Sequence, residues 1–409
     1  PAGKIPMASL RALPLGSAVL MTAFLSATAS AQDAFEPNND CAAPPTLAAG
    51  MTSGLTIGPD DDYYTVSIPA NANINISAAD TSGGFLSIEL HELGCGAALA
   101  TSTAAPLSYF DCGGVARDVV VLVQGSSLND EAYTLDLGIA EIIDDVNEDN
   151  DSCASSSLVA IQTFTMPNLV VSGCDEDYFS GRLQNAGVEI QVDVVFAHDQ
   201  GDIDIELYDL GCTTLLASSL STTDNESIRY RNTTNPSMSE GVVVRVFMKN
   251  GEGFADYSLT ACFGDDLLPP IGNQACSAVL NSGSRPATLC ARGSNVAADD
   301  DVFLYVVDLP MGSAGYFITS PIFKLALNPG GSLGNLCLDV PGRYNFDPLF
   351  TGNTTAAFYQ PDLTTTPVAG GGFTSLMAGT TQLWQYWYRD SVGGMAVSNF
   401  STAIEIEFQ

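Results

Sequence analysis

Positive charge is what this sequence has least of. Thirteen lysines and arginines stand against 47 aspartates and glutamates, a net charge of −34. Phosphate backbones repel such a surface, so nucleic acid is not expected as a partner. Histidine is nearly absent, with two in 409 residues. His91-Glu92 begins like a zincin helix but lacks the second histidine, and His198 has none near it. Zinc chemistry is not expected, and both histidines read as solvent-facing strand or loop residues. No Gly-x-Ser-x-Gly elbow is present and no glycine loop opens a helix to cradle phosphate. No amphipathic helix is legible beyond the first residues. No C-x-x-C pair suggests a zinc or redox site. Paired carboxylates are so abundant that none singles out a glycosidase pair. The expectation is a protein that is not an enzyme.

Long apolar runs are also missing, with one exception. Ala12 to Leu25 is a run of about 14 residues, short of the roughly 20 that a membrane span needs. It follows Arg11 and precedes Ala29-Ser30-Ala31, a small-x-small cleavage pattern. Together these read as a secretory signal peptide starting at Met7, after upstream readthrough or an expression scar at Pro1 to Pro6. The expected mature chain starts near Gln32, has no transmembrane segment, and is secreted or held at the cell surface. Ten cysteines in an exported chain are expected to be mostly disulfides.

What is present is a duplication. Glu36-Pro37-Asn38-Asn39-Asp40-Cys41 matches Glu148-Asp149-Asn150-Asp151-Ser152-Cys153. Asp60-Asp61-Asp62-Tyr63-Tyr64 matches Asp175-Glu176-Asp177-Tyr178-Phe179. The runs Leu86 to Cys95 and Ile203 to Cys212 match, as do Val119 to Val123 with Val242 to Val246, and Ala132 to Leu137 with Asp256 to Ala261. The blocks keep their order while their offset grows, which places insertions in loops. Ile74-Asn75-Ile76-Ser77 and Ile203-Asp204-Ile205-Glu206-Leu207 alternate apolar and polar, as half-buried strands do. Gly, Asn, Asp and Ser cluster between such runs as turns. The expected fold is all-β: three jelly-roll-like β-sandwich domains in tandem, at 32–142, 143–264 and 265–409, after the 1–31 leader. A turn of helix is expected after Cys41, and Leu267-Leu268-Pro269-Pro270 reads as a linker.

The repeats resemble the bacterial pre-peptidase C-terminal domain, a jelly-roll-like sandwich related to the collagen-binding domain of clostridial collagenases. The motifs that carry the resemblance are Glu36-Pro37-Asn38-Asn39, the D-x-D-Y of 60–63 and 175–178, the L-x-I-E-L strand and the closing Ala132-Tyr133-Thr134-Leu135. They cover roughly 33–264 in two copies. The resemblance implies an accessory module of secreted enzymes and surface proteins. The last 145 or so residues resemble a C-terminal β-sandwich of exported environmental bacterial proteins, to which no firm function attaches.

Hard oxygen ligands at alternate positions suit calcium. The candidate ligands are Glu36, Asn38, Asn39, Asp40, Asp60 and Asp62 in the first copy. In the second they are Glu148, Asn150, Asp151, Asp175 and Asp177. The resemblance implies the same: in collagen-binding relatives the segment entering the sandwich supplies Glu, Asn and Asp. A further family acid, two residues before the motif Glu, would fall at Ala34 and Val146, which implies a weaker site or fewer ions. The blander alternative is turn capping.

A second candidate is the aromatic run Trp384, Tyr386, Trp387 and Tyr388, able to stack on sugar rings or simply to fill a core. The disulfide pairings to test are Cys95–Cys112, Cys153–Cys174, Cys212–Cys262, and Cys276 with Cys290 or Cys337. They leave one cysteine odd in the first and third units unless a bridge joins domains. The function expected from all this is a secreted or surface binding module, calcium-stabilised, contacting extracellular protein or polysaccharide. The alternatives are a structural subunit of an extracellular or envelope assembly, and a hydrolase or its accessory.

Overall fold

The computed structural model describes residues 33–409 except 59, 82–85, 104–105, 126–130, 160–161, 184–185, 234–238, 252, 266, 345–348 and 352. The expected signal peptide lies outside the described residues. Among them every element is a strand or a three-residue 3₁₀ turn. The all-β expectation holds. The segment after Cys41 makes a turn and no helix. Among the described residues no helix is long and apolar enough to cross a membrane.

The duplicated blocks fold alike. In the first copy one sheet runs, in spatial order, Thr46–Leu47, Asp62–Ile68, Arg117–Gly125, Leu86–Glu92 and Ala98–Ser102. The second copy repeats that order with Ser157–Leu158, Asp177–Leu183, Glu240–Met248, Ile203–Asp209 and Leu215–Ser219. Register is conserved too: Asp62 sits opposite Val123, and Asp177 opposite Val246. A four-stranded sheet packs against each five-stranded one. In the first copy its order is Gly50–Ile57, Glu131–Glu141, Ala72–Asp80 and Leu107–Asp111. In the second it is Phe164–Ser172, Phe254–Gly264, Glu189–Phe196 and Glu226–Arg231. Alternation explains the cores. In Asp62–Ile68, Tyr64, Val66 and Ile68 are buried while Tyr63, Thr65 and Ser67 are not.

The C-terminal part differs. A six-stranded sheet is built around the long hairpin of Thr381–Val392 and Met395–Glu407, and a four-stranded sheet is centred on Thr288–Gly293 and Val302–Val307. Trp384, Tyr386 and Tyr388 all face the core between them. This corrects the reading of those three as ligand-binding. A strand's two-residue period sends 384, 386 and 388 the same way, and that way is inward. Trp387 points to the opposite face and is half-buried. Trp384→Ala should therefore cost about 3–5 kcal/mol, seen as a lower denaturation midpoint. A cost below about 1 kcal/mol would be incompatible with a core role.

All ten cysteines pair, but mostly not as expected. Cys95–Cys112, Cys153–Cys174 and Cys212–Cys262 are not formed. The cysteines shared by the repeats bond to each other, as Cys41–Cys95 and Cys153–Cys212. The reason is a turn present in both copies. Cys95 and Cys212 each have φ of 49°, and their amides close onto Glu92 O and Asp209 O at 2.9 Å. This left-handed turn swings the thiol towards the segment that enters the sandwich. The unshared cysteines bridge between units, as Cys112–Cys174 and Cys262–Cys290. Cys276 joins Cys337. No cysteine is left odd, because two bridges cross between units. Disulfides in this number belong to an oxidising compartment.

Candidate metal centre

Asp144 to Asn150 lies between the last strand of the first copy, Glu131–Glu141, and the first strand of the second. Polar side chains fold it on itself. Asp145 Oδ1 accepts from the Asn147 backbone N at 2.8 Å, and Oδ2 accepts from Val170 N at 3.1 Å. Glu148 Oε2 accepts from Asn150 N at 3.3 Å, while Glu148 Oε1 is buried with no partner. Asn150 is fully buried, and its carbonyl accepts from Tyr178 N at 3.0 Å. That bond pins the segment to the strand Asp177–Leu183. The Cys153–Cys212 bridge holds its far end.

The strand supplies the other acids by its period. Glu176 turns outward and pairs with Arg245 at 2.5 Å. Asp175 and Asp177 turn the other way, towards Glu148. Ligand oxygens of Asp144, Glu148 and Asp175 all lie within 4.8 Å of one another, and so do those of Asp145, Glu148 and Asp177. The two triads share Glu148. Asp175 sits on a tight turn closed by Ser172 N to Asp175 O at 3.1 Å. Cys174 in that turn is bonded to Cys112 of the first copy.

So many acids in little water disfavour their own charge. Burial pushes Glu148 up to about 9, reinforced by repulsion from Asp175 and Asp144. Burial also lifts Asp177 to about 8, against the hydrogen bond from Tyr257 that lowers it. Asp175 rises to about 7, through burial and then repulsion from Asp144 and Asp151. The Asn150 carboxamide faces the same acids, and with its nitrogen towards them it donates to Glu148 at 3.3 Å and to Asp177 at 3.0 Å.

The first copy is a reduced version. Asp62 is fully buried and accepts from Tyr133 Oη at 2.7 Å and Tyr64 Oη at 3.2 Å. Burial raises it to about 7, with Glu36 adding repulsion. Asn38 is buried, and its carboxamide nitrogen donates to Glu36 at 3.0 Å and to Asp62 at 3.2 Å, as that of Asn150 does to its acids in the second copy. The other expected ligands lie apart. Asn39 donates to Asp60, and Asp40 accepts from Ala42 N at 2.8 Å, which is turn capping. No three-acid cluster forms in this copy among the described residues.

Three acids escaped the sequence reading. Ala34 and Val146 are not acids, but in both copies an aspartate stands one residue earlier, at Asp33 and Asp145. Asp33 Oδ2 accepts from Thr56 N at 2.8 Å as Asp145 does from Val170 N. Asp144 completes the outer triad. The signal was available: D-x-x-E occurs at 33–36 and again at 145–148. The histidine reading needs a correction. His91 is only 8% exposed and is bonded to Glu89 Oε2 at 2.9 Å and Gly96 O at 3.1 Å.

No known family's sequence pattern matches the chain, and no curated protein matches it. Among solved structures, it is similar to the pre-peptidase C-terminal domain of a Bacillus anthracis collagenase. Identity is 13%, coverage is 26% of this chain and 93% of that one, and the TM-score is 0.21. A triple jelly-roll protein of an archaeal virus turret aligns at 10% identity over 84% of this chain and 82% of its own, with a TM-score of 0.18. A family 2 glycosyl hydrolase from Bacteroides cellulosilyticus aligns at 10% identity over 56% of this chain, with a TM-score of 0.17. The chain spans 28% of that hydrolase's length. Likeness at this level carries no argument about activity. The chain is an all-β protein of packed sheets, weakly similar over about a quarter of its length to a pre-peptidase C-terminal domain.

Proposed function

We propose that this is a secreted, non-catalytic binding module whose second repeat takes up calcium between Asp144, Asp145, Glu148, Asp175 and Asp177. The observation that carries the reading is the pair of acid triads sharing Glu148, with one buried oxygen of that residue unpartnered. Calcium takes six to eight oxygens at about 2.3–2.6 Å, and two triads plus the Asn150 carboxamide supply enough. Ligands come from the connection between repeats and from a turn disulfide-bonded to the first repeat. An ion there would stiffen the joint and hold binding faces in fixed relation. The contacted partners would be extracellular protein or polysaccharide.

Isothermal titration of the full chain with calcium tests this. Saturable binding is expected, and Glu148→Gln should weaken it at least tenfold, a loss of about 1.4 kcal/mol. Absence of binding at millimolar calcium would remove the proposal.

One observation favours a second reading, a subunit of an extracellular assembly. The strand Phe323–Ala326 pairs on one side only, with Leu336–Leu338, among the described residues. Ile322, Phe323, Leu325 and Leu327 beside it are exposed. Such an edge is a template for further strands. Sedimentation over a hundredfold concentration range decides it: a monomer throughout excludes the assembly.

A further inference from the structure

The outer face of the C-terminal sandwich carries a ladder of flat groups beside a small apolar cluster of Ile318, Leu338, Leu383 and Phe400, against which Trp387 packs. Tyr316 and Trp387 are cross-strand partners, with rings stacked at 5.8 Å and 26°. The Arg343 guanidinium lies 4.4 Å over Tyr316, and that of Arg389 lies 5.0 Å over Trp387. Four flat groups thus form a ladder: arginine, tyrosine, tryptophan, arginine. Both arginines are exposed. Beside the ladder is a basin of about 300 Å³, floored by Tyr316, Ile318, Leu336, Pro341, Trp387 and Phe400. Arg343 also lines it, and no acid does among the described residues.

Charge makes this unusual for the chain. There are 47 acids for 13 bases, and six other Lys and Arg residues form ion pairs. Arg389 forms none among the described residues; its contact is the Trp387 ring. The Arg389 guanidinium, held flat on the Trp387 ring, keeps its in-plane N–H groups for a second partner. That fork matches a carboxylate. An apolar aromatic floor suits the C–H face of a sugar, as amphipathic aromatic surfaces do.

We propose that this face binds an acidic polysaccharide, with a uronate ring in the basin and its carboxylate on Arg389. The inference rests on the reading of the chain as a binding module and names its ligand class. It corrects the four-aromatic sugar site expected from the sequence: of those residues only Trp387 takes part.

The test uses the full chain in chelator at physiological salt, so that calcium cannot bridge two acidic polymers. The probes are oligogalacturonate, the neutral oligogalactan, and poly-glutamate, followed by titration calorimetry. Oligogalacturonate should bind, and the neutral oligomer should bind at least tenfold more weakly. Trp387→Ala should weaken binding about tenfold and Arg389→Ala about fivefold, as expected for cation–π and charge-assisted contacts. Arg389 is exposed, so its variant keeps the wild-type melting temperature and separates binding from folding. No binding of oligogalacturonate, or equal binding by the Arg389 variant, overturns the proposal. Equal binding of poly-glutamate would assign the face to acidic peptides and overturn it as well. A calcium-induced rise in melting temperature that survives any of these failures leaves the calcium reading standing.

Discussion

In chelator, the protein is expected to lose stability as the pH rises from about 5 to 9, and millimolar calcium should abolish the loss. The reason is the direction of the carboxyl shifts. Asp177, Asp175 and Glu148 are raised to about 8, 7 and 9 in the folded chain. The unfolded chain titrates them near 4, so across this range the folded state holds more protons. Their contribution is fully present below the unfolded values and disappears as pH climbs through the folded ones. Glu148 and Asp175 are partly solvated and count for less than their shifts suggest. Asp177, fully buried, carries most of a loss of about 2–4 kcal/mol. Calcium prefers the ionised carboxylates and reverses the sign. At a hundred times its dissociation constant it adds about 2.7 kcal/mol. For a unit of this size that is a rise of about 5–10 °C in melting temperature. Differential scanning calorimetry at pH 5, 7 and 9, with calcium and with chelator, reads both effects. Melting that does not depend on pH in chelator would contradict the account of the site.

Replacing both Cys153 and Cys212 by alanine should cost the second repeat about 4 kcal/mol. The bridge closes a loop with a sequence separation of 59, and loop-closure entropy for that length gives the figure. The same bridge anchors the segment that carries Glu148 and Asn150, so calcium affinity should fall too. The Cys276–Cys337 bridge has a similar separation of 61 but lies in the C-terminal sheets. Its removal should cost similar stability and leave calcium affinity unchanged. Comparing the two variants by denaturant melts and calcium titration separates a general loss of stability from a specific loosening of the site. Equal calcium affinity in both would contradict the anchoring role.

The fold was legible because duplication and alternation are both local signals. Leu86 to Cys95 and Ile203 to Cys212 align without a gap, and they form equivalent strands with the same turn. The acid pattern was legible for the same reason: Glu148, Asn150, Asp175 and Asp177 do converge. What was not legible depends on distance in space. Nothing in the spacing shows that Cys112 meets Cys174 of the next repeat, because that contact exists only once both sandwiches are folded. The shared cysteines could have been paired from the duplication alone, since two copies of one fold form the same staple. Trp384 to Tyr388 show another limit. Alternation divides them into two faces but does not say which face is the core. That depends on the Val302–Val307 and Thr288–Gly293 strands packed on one side.

Anomalous diffraction from crystals grown in calcium tests the central claim most directly. The account predicts a calcium peak within ligand distance of Glu148 and Asp177, with the Asn150 carboxamide oxygen turned to it. A map with no peak there, and with the Asn150 nitrogen hydrogen-bonded to Glu148 and Asp177, would contradict it.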